Sequence, residues 1–123
     1  MDIDEAVETA IGRADALIKG ERAQLMVIFD VDGDITEFEF ECVRFTYSMV
    51  HKTGSRVAYL HPECAVLVTR TGQHLAVAAQ TRNDEYRWEL IPIEGERLGE
   101  AIVLDRVLFQ SVHLFWEGVQ EGD

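Results

Sequence analysis

An α+β fold is predicted: an N-terminal helix, a curved antiparallel sheet of about six strands in meander order, and a C-terminal helix packed on the sheet. Three observations predict it. Apolar residues recur at three- and four-residue spacing over residues 2–19, the period drops to two from Gln24 to about Ile93, and helical spacing returns between Leu104 and Gln120. At 123 residues the chain is expected to form a single domain, 1–123, large enough to fold without a metal or disulfide staple.

In the first helix Ile3, Val7, Ala10, Ile11, Ala14, Leu17 and Ile18 form one stripe. Asp2 or Asp4 is placed to cap its start, and Gly20 stands where a left-handed C-terminal cap is needed. Strands are expected at 24–31, 35–51, 56–60, 64–70, 74–81 and 85–91, separated by the turn sequences Asp-Gly-Asp, Thr-Gly-Ser, His-Pro-Glu, Thr-Gly-Gln and Asn-Asp. Connections this short imply antiparallel neighbours and leave no room for crossover helices. The apolar positions change face near Cys42 and Val43, which predicts a bulge there and a curved sheet. Ala65 to Val68 and Leu75 to Ala79 are apolar on both faces, as central strands are. On the last helix Val107, Leu108, Phe109, Val112, Leu114, Phe115, Trp116 and Val119 fill an arc of roughly 220° at 100° per residue, wider than one sheet face covers. Either the first helix or a second copy of the chain is expected against it.

The net charge of −12 is unevenly placed. Residues 1–41 carry 12 acids and 3 bases (−9), residues 42–82 carry 1 and 5 (+4), and residues 83–123 carry 10 and 3 (−7), which sum to −12. Such a chain lacks the basic footprint that nucleic-acid phosphates demand, and it favours a protein partner with a basic surface. No apolar run exceeds five residues, so no membrane span is expected. The acidic N-terminus is unlike a secretory signal, and with two cysteines, Cys42 and Cys64, read as free thiols, a cytoplasmic location is expected.

The stretch "VIFDVDGDIT", residues 27–36, runs four apolar residues into an Asp-x-Asp-Gly. It resembles the first motif of the haloacid dehalogenase-like phosphatases, and the resemblance implies Asp30 as nucleophile, Asp32 as proton carrier and Mg²⁺ between them. It covers ten residues of the chain, Asp34 stands where the family has threonine, and a strand pattern follows where the family has a loop and helix. An EF-hand reading places Asp30, Asp32, Asp34 and Glu41 at ligand positions, but Ile35 occupies the glycine position. Asp-Gly between two alternating apolar runs is among the strongest hairpin signals, and the stretch is read as an acidic turn. The three aspartates are expected on a surface that meets something basic.

No other segment carries a catalytic constellation. His51, His61, His74 and the cysteines lack paired metal-ligand spacing, and no serine sits in a nucleophile elbow. No catalytic residue, metal or cofactor is therefore expected. In the basic middle, Arg44, Lys52, Arg56, Arg70 and Arg82 are candidate ligands for a small anion or nucleotide. In element order the chain resembles small acidic protein-binding modules such as type III secretion chaperones, which are homodimers; the helix those chaperones carry between strands is not read here. The leading expectation is a non-catalytic module, dimeric, that masks, inhibits or escorts a protein partner, as immunity proteins, anti-defence inhibitors and secretion chaperones do. Its interface is expected to use Phe109, Val112, Trp116 and the three aspartates. A module binding a small anion or nucleotide comes second, and an aspartate-based phosphatase a distant third.

Overall fold

The computed structural model describes residues 2–41, 46–104 and 111–122. Two helices open the chain, α1 (Ile3–Gly12) and α2 (Asp15–Ile18). A hairpin follows, β1 (Gln24–Asp30) and β2 (Ile35–Phe40), then a helix α3 (Thr46–Val57) and a short 3₁₀ turn (Ala58–Leu60). Five further strands complete the sheet: β3 (Pro62–Thr71), β4 (His74–Thr81), β5 (Tyr86–Glu94), β6 (Arg97–Leu98) and β7 (Ile102–Leu104). The last element is α4 (Ser111–Gly122).

The fold class is the one the periodicities predict: α+β, with an antiparallel sheet and helices at both ends of the chain. The strand order is β2-β1-β3-β4-β5-β6, with β7 also on β5. From β3 to β5 consecutive strands are neighbours and the sheet runs as a meander. One crossover enters before that. Both β2 and β3 are antiparallel to β1, so they run parallel to each other, and α3 is the connection between them.

That helix corrects the expected strands at 35–51 and 56–60: β2 ends at Phe40, and residues 46–57 are helical. Val50, Thr53 and Val57 repeat at three- and four-residue spacing and are buried, while Lys52, Ser55 and Arg56 face solvent. The Thr53-Gly54 pair read as a turn lies mid-helix. Gly54 is there because a Cβ on it would lie 2.0 Å from the Phe115 carbonyl oxygen of α4. Gly118 meets the His51 carbonyl of α3 at the same 2.0 Å, and Gly122 meets that of Ser55 at 2.5 Å. Three glycines thus bring the two helices to backbone contact, and α3 covers the broad apolar arc of α4. The expected start of the last helix at Leu104 is corrected as well, since Leu104 belongs to β7. Phe109 and the expected bulge at Cys42 and Val43 lie outside the described residues.

Two cores result, one on each face of the sheet. Odd-numbered β1 residues (Leu25, Val27, Phe29) join Val66, Val68, Leu75, Val77, Ile91 and the α1–α2 stripe (Ala6, Val7, Ala10, Leu17). Even-numbered Met26 and Ile28 join Leu67, Ala78 and the α3–α4 pair through Val50, Val57, Val112, Phe115, Trp116 and Val119. Strands β3 and β4 are central and covered on both faces, as their sequences predict.

The N-terminal helix breaks at Arg13–Ala14, so its last four residues form α2. Asp2 caps α1 by accepting from the Asp4 amide at 3.0 Å. Gly20, at φ +78°, closes α2: its amide reaches Leu17 O, and the Glu21 amide reaches Ala16 O at 2.8 Å, a Schellman closure. Among the described residues no helix is long and apolar enough to cross a membrane.

Candidate functional site

The hairpin at residues 30–34 is closed by its first aspartate. The Asp30 amide donates to Asp34 O, Gly33 takes φ +83°, and the Asp30 carboxylate accepts from the amides of Asp32 (2.9 Å) and Asp34 (3.0 Å). Asp30 is thereby used as a backbone cap in an Asx-type turn. Asp32 and Asp34 project into solvent, and no group of three acids, histidines or cysteines placed to hold a metal exists among the described residues.

Arg70 and Arg82, two of the five basic candidates, do not converge. Arg44 lies outside the described residues, and Lys52 and Arg56 are exposed on α3. Arg70 turns inward: its guanidinium donates to the carbonyls of Leu17 (2.8 Å) and Ile18 (2.7 Å) at the C-terminus of α2, and to Gly72 O (3.2 Å). It neutralises the negative end of a helix and ties it to the β3–β4 turn. Arg82 stands at the opposite end of β3, where its amide donates to Glu63 O, seven residues or roughly 23 Å from Arg70 at strand rise. A single small anion cannot span that distance, so Arg70 and Arg82 do not share one site. Arg82 and Arg70 border two separate cavities, and of the two only the Arg70 guanidinium is already taken up by carbonyls.

Val112 and Trp116, expected at an interface, are taken up by the chain's own second core, at 1% and 8% exposure. Trp116 also donates its indole N–H to Gln80 O on β4 at 3.2 Å. Val31 in the β1–β2 turn and Tyr59 in the 3₁₀ turn are exposed singly, and two adjacent exposed apolar residues lie at the other side of the sheet. Ile102 and Val103 on β7 are each 57% exposed, and among the described residues β7 pairs with β5 alone. Behind it on the α3–α4 face, Tyr86 stacks on Trp88 at 5.1 Å, and Trp88, paired with Leu104, keeps its indole N–H buried without an acceptor among the described residues. On the α1 face Glu89, paired with Val103 and only 6% exposed, is held by Arg87 (Nε to Oε1, 2.7 Å), which also binds Asp4 of α1. Exposed Glu94, Glu96 and Glu100 flank β6 and β7, and none of them is in an ion pair among the described residues.

The two edges of the sheet differ in chemistry. The outer strand β2 carries Glu37 and Glu39, paired with Arg13 (3.1 Å) and Arg22 (3.5 Å), the kind of charge that blocks edge-to-edge pairing. β7 is Ile-Val-Leu and has no charged residue. Sequence reading missed this edge because residues 94–104 lack a long alternating run; the short apolar run Ala101 to Leu104 between Glu100 and Asp105 is the signal that marks it. No family model, curated protein or solved structure matches the chain.

Proposed function

We propose that the protein is a non-catalytic, acidic protein-binding module that takes an extended segment of a basic partner as an added strand on β7. The observation that carries this reading is the uncharged outer strand with Ile102 and Val103 each 57% exposed. An unpaired edge offers a row of backbone donors and acceptors, and strand addition draws affinity from main-chain hydrogen bonds and selectivity from alternate side chains. Glu94, Glu96 and Glu100 beside it, on a chain of net charge −12, favour lysines or arginines flanking the incoming strand. Masking, inhibiting or escorting a partner all follow from holding one of its segments in this way.

The test uses a fluorescent nine-residue peptide of alternating valine and threonine with lysines at both ends, and a counterpart ended in glutamates. The lysine-ended peptide is expected to bind, the glutamate-ended one at least about tenfold more weakly, and the double variant Ile102→Lys/Val103→Lys to bind neither. Equal binding of both peptides, or unchanged binding by the double variant, refutes the reading. Light scattering addresses the other occupant of such an edge, a second copy. A mass twice the 14.0 kDa of the chain that collapses to one copy in the double variant assigns β7 to a homodimer instead.

A further inference from the structure

A second site lies at the far end of the sheet, where the 3₁₀ turn enters β3, β4 turns into β5, and α4 ends. It is a cavity of about 230 Å³, the liquid volume of roughly eight waters. Its apolar wall is Ala58, Pro62, Trp116 and Val119. Its polar wall is Arg82 and Asp84 from the β4–β5 turn, with His61 and Gln120 beside them.

Two opposite charges share this cavity without meeting. Arg82 and Asp84 are not within ion-pair distance, and the Arg82 side chain has no hydrogen-bond or ion-pair partner among the described residues. The turn holds them apart. Thr81 and Glu85 close it through Thr81 N to Glu85 O (2.9 Å) and Glu85 N to Thr81 Oγ1 (3.1 Å), while the Arg82 amide is fixed on Glu63 O. Asp84 occupies a left-handed backbone, φ +62°, and its carboxylate is tethered at 3.1 Å by the side-chain amide of Gln80, which is 1% exposed. His61 reaches the cavity from another left-handed position, φ +53°, at the end of the 3₁₀ turn. The result is an exposed cation, unpartnered among the described residues, on a fixed backbone and an anion tethered by Gln80, side by side against an apolar wall.

We propose that this cavity binds a small zwitterion, an α-amino acid with an apolar side chain. Its carboxylate sits on Arg82 with His61 beside it, its ammonium on Asp84, and its side chain against Trp116 and Val119. The charges of such a ligand cancel those of the wall one for one. A phosphate or other polyanion satisfies Arg82 but meets Asp84, and a cation meets Arg82, so both are excluded. The site is independent of β7, and its test does not bear on strand addition.

Calorimetric titration of the full chain with leucine and phenylalanine tests it. Leucinamide lacks the carboxylate, N-acetylleucine lacks the ammonium, glycine lacks the side chain, and inorganic phosphate probes a bare anion site. Leucine or phenylalanine is expected to bind, with each analogue and each of Arg82→Gln and Asp84→Asn at least about tenfold weaker, since a charge-assisted contact is lost. Asparagine tolerates the left-handed backbone, so Asp84→Asn keeps the turn, and an unchanged circular dichroism spectrum confirms it. The proposal is overturned by the absence of heat for both amino acids at about 10 mM, by leucinamide or N-acetylleucine binding as well as leucine, by phosphate binding in their place, or by undiminished binding in the two variants.

Discussion

Gly118→Ala sets local preference against tertiary contact. In an isolated helix alanine is favoured over glycine by about 1 kcal/mol, so helix propensity alone predicts a more stable protein. The structure predicts the reverse. A Cβ on Gly118 would stand 2.0 Å from the His51 carbonyl oxygen and 3.0 Å from the Ser55 amide nitrogen, both backbone atoms of α3 that no rotamer change can move. The two helices must part by about 1 Å to restore contact distance. A gap of that order forfeits about half the well of the contacts it stretches, which are about half of a facing side chain's ~40 contacts of ~0.1 kcal/mol, so the loss is about 1 kcal/mol each. Over Val50, Val57, Phe115 and Val119, all in the core between these helices, the loss is about 4 kcal/mol, and about 3 kcal/mol remains after the propensity gain. For a domain of this size that is a fall in Tm of about 10–15 °C. Thermal and urea unfolding followed by far-UV circular dichroism measure it, with Gly12→Ala as control. Gly12 is helical, with ordinary φ and nothing within 4 Å of an added Cβ, so its alanine variant gains up to about 1 kcal/mol. The reasoning fails if Gly118→Ala raises Tm as Gly12→Ala does.

The same structure makes four further predictions. Arg87→Met leaves the buried Glu89 carboxylate without its cation and is expected to cost about 3 kcal/mol in urea unfolding, with most of that recovered in the double variant Arg87→Met/Glu89→Gln. Arg70→Ala removes the guanidinium from the end of α2 and costs about 2 kcal/mol, while Arg70→Lys recovers only part because one ammonium cannot reproduce the fork onto Leu17 O, Ile18 O and Gly72 O. Asp30→Ala frees two turn amides and costs about 1 kcal/mol, whereas Asp32→Ala is close to neutral by the same measurement. Burial pushes the Cys64 thiol from its ordinary 9.0 up to about 12. The unfolded chain therefore releases this proton first, so stability is unaffected below the ordinary value and falls as pH rises through the window to about 12, by up to about 1.4 kcal/mol per pH unit. In a Cys64→Ala variant that contribution vanishes, and the gap between the two urea midpoints is expected to close from about pH 8 to about pH 10.5.

What was legible in the sequence is what rests on local chemistry. Asp2 and Gly20 mark helix ends because capping uses one side chain or one left-handed residue. Asp-Gly at 32–33 marks a hairpin because only a few residues tolerate the backbone it needs. Ala65 to Val68 and Leu75 to Ala79 announce the centre of the sheet because nothing polar fits between two covered faces. The largest miss, α3, has the opposite character. Its sequence, with Thr46, Val50, Thr53, Gly54 and Val57, is poor in intrinsic helix formers, and its stability comes from packing on α4. The glycine that reads as a turn is the residue that admits a neighbouring backbone.

The candidate sites escaped for a related reason: each depends on which strands end up side by side. Charge counting gathered Arg70 and Arg82 into one basic segment, yet β4 runs back along β3 between them and leaves them at opposite ends of the sheet with different work. Arg70 satisfies carbonyls, while Arg82 is left facing a cavity across from Asp84. Apolar periodicity likewise assigned the surplus hydrophobicity of the chain to α4, where α3 absorbs it. Part of the surplus that stays exposed is Ile102 and Val103 of the three-residue β7, too short to carry a period of its own. What a strand edge can do depends on what lies beside it: β2 carries paired glutamates, and β7 among the described residues carries no charge.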